Sequence, residues 1–268
     1  MNNHDATHDN RQGIQSVEVG IQLLRALADG GRPIKLRDIA SAAGMVPSKA
    51  HRYLVSFIRT GLVEQDPESG LYDLGPYALQ FSLSCLSRLD PVRLASSALA
   101  ELGAQLDETV ALAVWGNCGP TIIRWEESQR PVTVNVRTGS VMPLLTSATG
   151  QVFAAFLPAA MTGRLLEAER QALGQAEKPG LTTPADVDQL LADVRARRLA
   201  RVTGGLLAGV DALSAPVFDH RGRLTLAITV LGQAGAFDAD WDGRVATLLR
   251  STAAKLSRRL GYGGGTDE

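Results

Sequence analysis

Apolar residues fall at helical spacing in two short segments joined by a tight turn. Leu36, Ile39 and Ala40 mark the first; Ala43-Gly44-Met45 is the turn. The second runs from about Pro47 to Thr60, with Ala50, Leu54 and Phe57 on one face. Two strand-like runs, Leu62-Val63 and Leu71-Tyr72, then flank the turn formers Asp66-Pro67-Glu68-Ser69-Gly70. Helix, turn, helix, hairpin is the order of a winged helix-turn-helix, whose second helix enters the DNA major groove. Gly44 suits the turn because glycine reaches positive φ without strain. Pro47 suits the first turn of a helix, where its missing N–H costs nothing.

The polar positions of the second helix give the pattern its chemistry. Ser48, Lys49, His51 and Arg52 cluster at its start, Arg59 lies near its end, and Ser69 sits in the hairpin turn. These six are the candidate DNA contacts, with Arg59 and the turn near Ser69 expected on phosphates. From Arg32 to Arg59 the bases are Arg32, Lys35, Arg37, Lys49, Arg52 and Arg59 against the single acid Asp38, a local balance of +5 in a chain that sums to -1. Such concentrated charge is the footprint expected for phosphate contact, and the near-neutral whole argues against indiscriminate coating of nucleic acid. An ordinary helical hairpin with a solvated basic face is the plain alternative.

Before this segment, Ile14 to Ala28 reads as a helix with Val17, Ile21, Leu24 and Leu27 on one face. After it, Gly75-Pro76 opens a linker helix to about Leu89, and Asp90-Pro91 starts a second unit. There the pattern gives a helix over Pro91 to Leu106 and strands over Thr109 to Trp115 and Thr121 to Trp125. A strand at Val132 to Val136 and a helix over Ser147 to Phe156 follow. Helices over Met161 to Gln171 and Ala185 to Arg198 come next. A hairpin of Val210 to Phe218 with Leu224 to Leu231 precedes a closing helix from Asp238 to about Leu260. Helices bracketing a mostly antiparallel sheet make an α+β unit. The expected organisation is therefore a disordered tail at 1–13, a winged helix-turn-helix at 14–75 and a linker helix at 76–89. A second, α+β domain at 90–260 and a flexible tail at 261–268 complete it.

The chain has 268 residues, of which 45% are apolar, enough for two folded domains. No apolar run is long enough to span a bilayer, and the polar start lacks the apolar stretch of a secretion signal. Cys85 and Cys118 do not make a disulfide framework, so a cytoplasmic location is expected.

Metal and catalytic readings find little. His4 and His8 lie in the polar tail, His51 and His220 are isolated, and no Cys–His cluster has zinc spacing. Gly204-Gly205 lacks the lysine of a phosphate loop, Cys118 has no adjacent resolving cysteine, and no nucleophile elbow is visible. No catalytic residue, metal or cofactor is assigned.

The segments IQSVEVGIQLLRAL, SKAHRYL, GLVEQDPESGLYDLGP, GSVMPLLTSATGQVFAAFLP and LSAPVFDHRGRL occur in the order of a known family. Over about Ile14 to Leu260 the chain resembles the IclR family of bacterial transcription regulators. The resemblance implies a winged helix-turn-helix, a linker helix and a GAF-like effector domain. It also implies dimers formed through the DNA-binding domains, which often pair into tetramers, and control of catabolic operons. In the MPLLTSATGQ segment, members often carry a His where this chain has Leu145 and a Lys where it has Gln151. Pocket positions on the last two strands correspond here to Ala212, Thr229 and Leu231, less polar than usual, which points away from a two- or three-carbon oxoacid.

The strand pattern supports the same region. Leu224, Leu226, Ile228 and Val230 form a bulky face; Thr225, Ala227, Thr229 and Leu231 form a smaller one that leaves room. Val210, Ala212 and Ser214 share a face of the preceding strand. Ser147 and Thr149 sit at a helix start, where free N–H groups favour a carboxylate; a plain helix cap is the alternative there. The candidate effector contacts are Leu144, Ser147, Thr149, Val210, Ala212, Thr229 and Leu231.

The expected function is a ligand-responsive repressor of a catabolic operon. Its expected partners are double-stranded operator DNA, a small organic and possibly aromatic acid, and further copies of itself as homodimer or dimer of dimers, with no membrane. Two alternatives stand: a constitutive regulator whose second domain only oligomerises, and a small-molecule enzyme with a DNA-binding appendage.

Overall fold

The computed structural model describes residues 13–128, 135–175, 181–204 and 209–264. They form two compact units that divide after Leu89. The expectations for the N-terminal tail, for the glycine-rich stretch after Gly204, for the last four residues and for most of the Val132 to Val136 strand lie outside the described residues.

The first unit contains α1 (Gln15–Gly30), α2 (Leu36–Ala42), α3 (Pro47–Arg59), the hairpin β1 (Val63–Gln65) and β2 (Tyr72–Leu74), and α4 (Pro76–Leu86). Leu23, Leu27, Ile39, Ala40, Ala50, Leu54, Val63 and Tyr72 form its core. Ala40 and Ala50 are buried where α2 meets α3, so small side chains let the helices approach. Gly44 takes a φ of 65° in the turn between them, and Met45 N–H returns to Ala40 O at 2.8 Å. The hairpin gains a third strand-like partner where Ile34 pairs with Tyr72.

On α1 the buried line is Gly20, Leu23 and Leu27 rather than the face through Val17 and Ile21, both of which are exposed. Gly20 explains the difference. A Cβ there would lie 3.0 Å from the Phe57 ring and 3.3 Å from that of Tyr53, so the missing side chain admits two aromatic rings of α3.

The second unit is a five-stranded antiparallel sheet in the order β4-β3-β7-β6-β5. Its strands are β3 (Thr109–Gly116), β4 (Gly119–Glu126), β5 (Ala200–Thr203), β6 (Val210–Phe218) and β7 (Leu224–Gln233). Its helices are α5 (Pro91–Leu106), α6 (Ala148–Phe156), α7 (Ala159–Gln175), α8 (Pro184–Arg197) and α9 (Arg244–Arg259). α5 and α9 pack on each other and on β3, β6 and β7; α6 packs on β5, β6 and β7 and touches α7 and α8. Ala111, Ala113 and Ala227 join the cluster around α6, while the alternate positions Val110, Leu112, Ile228 and Val230 point away from it. Small residues on the α6 side leave the space that the site uses.

Two elements depart from the sequence pattern. β5 has only four residues and sits at a sheet edge, too short to show an alternation. The closing helix begins at Arg244, not Asp238. The Asp238 carboxylate accepts from Arg244 N–H at 2.7 Å and from Asp240 N–H at 3.2 Å, closing a turn that precedes the helix.

Candidate functional site

α3 separates its two faces sharply. At about 100° per residue, Ser48, Arg52 and Arg59 lie opposite the buried Ala50 and Leu54, with Lys49 and His51 on the two flanks. All five are exposed. Among the described residues, Lys49, His51, Arg52 and Arg59 have no ion-pair partner, so their charge or donors face water. Ser16 of α1 and Ser56 share a shallow surface hollow with Lys49 and Arg52. Ser56 follows Arg52 by one helical turn and was within reach of periodicity; Ser16 comes from another helix and was not.

Ser69 is engaged rather than free. Its hydroxyl donates to the Asp66 carboxylate and accepts from Leu71 N–H at 3.3 Å, and its N–H also reaches Asp66. The Ser69 hydroxyl, then the Glu68 and Ser69 N–H groups, hold the Asp66 carboxyl below its ordinary value. Ser69 thus fixes the tip of the hairpin.

In the second unit a narrow cavity holds about 490 Å³ of atom-free space, its open mouth included. Ser147, Thr149, Val210, Ala212, Thr229 and Leu231 all line it. Leu144 does not: its side chain is buried elsewhere in the core, and its N–H donates to the Glu169 carboxylate at 2.8 Å. Sequence reasoning missed Trp125, Ile122 and Met142, which also line it. A bulge explains part of this. Leu112 pairs with Arg124 and Ala113 with Ile122, so Ile123 is an extra residue on β4. That shift breaks strict alternation and lets Ile122 and Trp125 share one wall.

Among the described residues, no lining side chain carries a charge. The polar groups converge at the start of α6. Ser147 is its N-cap: the hydroxyl accepts from Gly150 N–H at 2.9 Å and donates to Pro143 O at 2.6 Å. Thr149 and Thr229 hydroxyls lie 2.7 Å apart, Thr229 donates to Ser214 at 2.9 Å, and Ser214 donates to Ile228 O at 3.2 Å. The loop before α6 is clamped from behind. Both Glu169 oxygens take N–H groups, those of Leu144 and Leu145, and the Gln151 amide donates to Leu145 O at 2.9 Å. Gly150 closes the joint, for a Cβ there would lie 1.9 Å from Pro143 O.

Comparison with known proteins agrees with both units. The IclR helix-turn-helix domain matches residues 16–67, and the bacterial transcriptional regulator IclR C-terminal family matches residues 83–258. The chain belongs to the IclR family. It is therefore a DNA-binding transcriptional regulator with an IclR effector domain. A glycerol operon regulatory protein of Streptomyces griseus is 34% identical over 261 residues, 94% of this chain and 98% of that protein. The transcriptional repressor IclR of Escherichia coli K12 is 25% identical over 253 residues, covering 94% and 91%. The crystal structure of Pseudomonas aeruginosa HmgR aligns with a TM-score of 0.83 and 44% identity over 94% of this chain and all of that one.

Within this IclR-family chain, the two departures noted in the sequence have a joint structural role. Leu145 is fully buried, and Gln151 is buried beside it, tying α6 to the loop through the Leu145 carbonyl. Neither lines the cavity. Among the described residues no helix is long and apolar enough to cross a membrane, and no group of His, Cys, Asp or Glu is arranged to hold a metal.

Proposed function

We propose that this IclR-family chain is a ligand-responsive repressor of a catabolic operon. Its effector is a small organic acid with a substantial apolar body, aromatic rather than a two- or three-carbon oxoacid. The uncharged cavity carries the proposal. Its wall of Ile122, Trp125, Met142, Val202, Val210 and Leu231 suits an apolar body. Ala148 and Thr149 open α6 and line the cavity, so their N–H groups, which have no intrahelical acceptor, offer a place for one carboxylate. A doubly charged ligand would lack a counter-charge among the described lining residues. Repression is supported by the likeness to the transcriptional repressor IclR of Escherichia coli.

On the DNA side, Ser48, Lys49, His51 and Arg52 read the operator and Arg59 holds a phosphate. The chain acts as a dimer or a dimer of dimers, because two-fold pairs match palindromic half-sites. Val17 on α1 and Leu79, Phe81 and Leu83 on α4 are apolar and exposed, Phe81 by 67%, and supply the candidate contact. Trp125 gives the test a direct readout. Titration with benzoate or a substituted benzoate should quench tryptophan fluorescence and raise the melting temperature, while pyruvate and glyoxylate should do neither. Binding of the oxoacids alone would overturn the effector class. Chemical turnover of a bound acid would favour an enzyme instead.

A further inference from the structure

The second unit carries another hollow, which shares no lining residue with the cavity beside α6. It lies where the end of α8, strand β6 and the later turns of α9 meet, and it holds about 910 Å³ of atom-free space, its open mouth included. Ala215, Pro216 and Phe218 of β6 and Ala253 and Ser257 of α9 contribute small or apolar lining. The charged side chains that line it are all arginines: Arg197 and Arg198 at the end of α8, Arg250 and Arg258 on α9. Among the described residues no acid lines it, although the chain as a whole sums to -1.

The guanidinium groups are held in place by rings and backbone. Arg197 stacks on Trp241 with its Cζ 4.5 Å from the ring centroid, and Arg201 lies over the same ring at 4.3 Å. Arg198 lies 6.0 Å from the Phe218 centroid and 5.9 Å from that of Tyr262. Arg250 donates to Trp241 O at 2.5 Å. Stacking engages the face of a guanidinium and leaves its in-plane N–H groups to donate. Among the described residues, Arg197 and Arg258 have no ion-pair partner. Arg250 pairs with Asp242 at 3.3 Å, but that carboxylate is 98% exposed and the contact is screened by water. Helix ends account for part of the pattern: Arg197 and Arg258 lie in the last turns of α8 and α9, where a cation complements the helix dipole. Arg250 lies in the middle of α9 and has no such reason to face the same hollow.

We propose that this hollow is a second ligand site, which takes a small molecule bearing a doubly charged phosphate group. A phosphate monoester carries close to two charges at neutral pH and three strong acceptor oxygens, so one group can accept from arginines of both α8 and α9. Planar guanidinium forks match those oxygens in pairs. A lone carboxylate brings half the charge and leaves part of the cluster uncompensated. The proposal is independent of the acid reading of the α6 cavity, whose described lining offers no counter-charge to the same ligand.

The test is calorimetric titration of the full chain with inorganic phosphate, the bare group, in chloride buffer of constant ionic strength. The wild type should bind it saturably, with a Kd tighter than about 10 mM, and sulfate should compete. Acetate should bind at least about tenfold more weakly. Arg258→Gln, which removes an exposed side chain without an ion-pair partner, should weaken phosphate binding about tenfold, and adding Arg197→Gln should abolish saturable binding. Arg258→Lys, which keeps the charge without the fork, should lose less. Lys255→Gln, exposed on α9 outside the hollow, should bind phosphate as the wild type does, which separates the site from overall charge. A wild type that takes up no phosphate saturably, or equal binding by the double variant Arg197→Gln, Arg258→Gln, would overturn the proposal. Phosphate binding that appears only after Asp267→Asn and Glu268→Gln would also overturn it, by assigning the hollow to those two carboxylates of the chain itself.

Discussion

Helices α3 and α6 would serve the two proposed binding surfaces by opposite means. α3 buries Ala50 and Leu54, packs the rings of Tyr53 and Phe57 on the core, and presents Ser48, Lys49, His51, Arg52, Ser56 and Arg59 to water. α6 has every residue from Ala148 to Ala155 buried and offers its backbone start instead. α3 begins at Pro47 behind Val46, which is 63% exposed and makes no side-chain cap; α6 begins behind Ser147, whose hydroxyl caps the Gly150 N–H. Reading a polyanion requires charges held in solvent by an otherwise ordinary helix. Enclosing a small ligand requires a helix fixed on all sides, because a partly satisfied buried polar end is costly.

The strongest way to break this contrast is at Gly150. Gly150→Ala would drive its Cβ into the Pro143 carbonyl, and α6 cannot move away from the sheet without opening the core. A loss of about 3 kcal/mol in urea unfolding is expected, the upper range for overpacking a rigid site. All three tryptophans, Trp115, Trp125 and Trp241, lie in the second unit, so fluorescence follows that unit. An unfolding curve like that of the wild type would show that the helix is not clamped.

The corresponding attack on α3 should leave stability alone and change recognition. Arg52→Ala should weaken operator binding by about 1–3 kcal/mol if the side chain reads a guanine. If it holds a phosphate, binding should fall on all sequences alike and the salt dependence should flatten. Unaltered binding by the double variant Lys49→Ala, Arg52→Ala would end the assignment of α3 as the reading helix.

A smaller effect should follow from exchanging the caps. Ser147→Ala removes an N-cap from a buried helix and should cost about 1 kcal/mol in unfolding experiments. Val46→Thr introduces a capping hydroxyl at α3 and should add up to about 1 kcal/mol. Destabilisation by Val46→Thr would mean that Val46 packs in a way its exposure does not show.

The smallest expected effect is at the hairpin tip. The Asp66 carboxyl sits below its ordinary value of 3.8 because Ser69 and two N–H groups bond the charged form. A lowered folded-state value means that its contribution is present above pH 3.8 and is lost as pH falls through the folded value. A carbon-detected NMR titration should place its midpoint below 3.8, and Ser69→Ala should bring the midpoint back up. A midpoint at or above that value in the wild type would contradict the bonded turn.

Legibility from the sequence followed the range of the forces involved. α5 and β6 were readable to the residue because Asp90-Pro91 opens one and the turn Asp219-His220-Arg221-Gly222 ends the other. The faces of β7 were readable because side-chain size alternates along it, and the helix-turn-helix because Gly44 and Pro47 punctuate it locally. The late start of α9 was hidden, since Asp238 reaches six residues ahead to Arg244. The Glu169 clamp joins groups 25 and 24 residues apart, and the Thr149–Thr229 pair spans 80, distances at which no local pattern exists. Trp125 was missed because one extra residue on β4 reverses the expected face. Ser147 and Ser69 were noticed for the right positions, yet their hydroxyls are committed to caps and turns, a distinction that residue type alone does not make.

The central claim is that occupancy of the cavity in the second unit controls DNA binding by the first. The most direct measurement is operator affinity by fluorescence anisotropy, with and without a saturating benzoate or substituted benzoate, in the wild type and in Ala212→Phe, where the new ring fills the cavity. The account predicts an affinity change corresponding to about 1–3 kcal/mol in the wild type. Ala212→Phe should bind the operator as the wild type does and show no response to the acid. A filled cavity that still responds, or an acid that binds the wild type without altering its operator affinity, would contradict the claim.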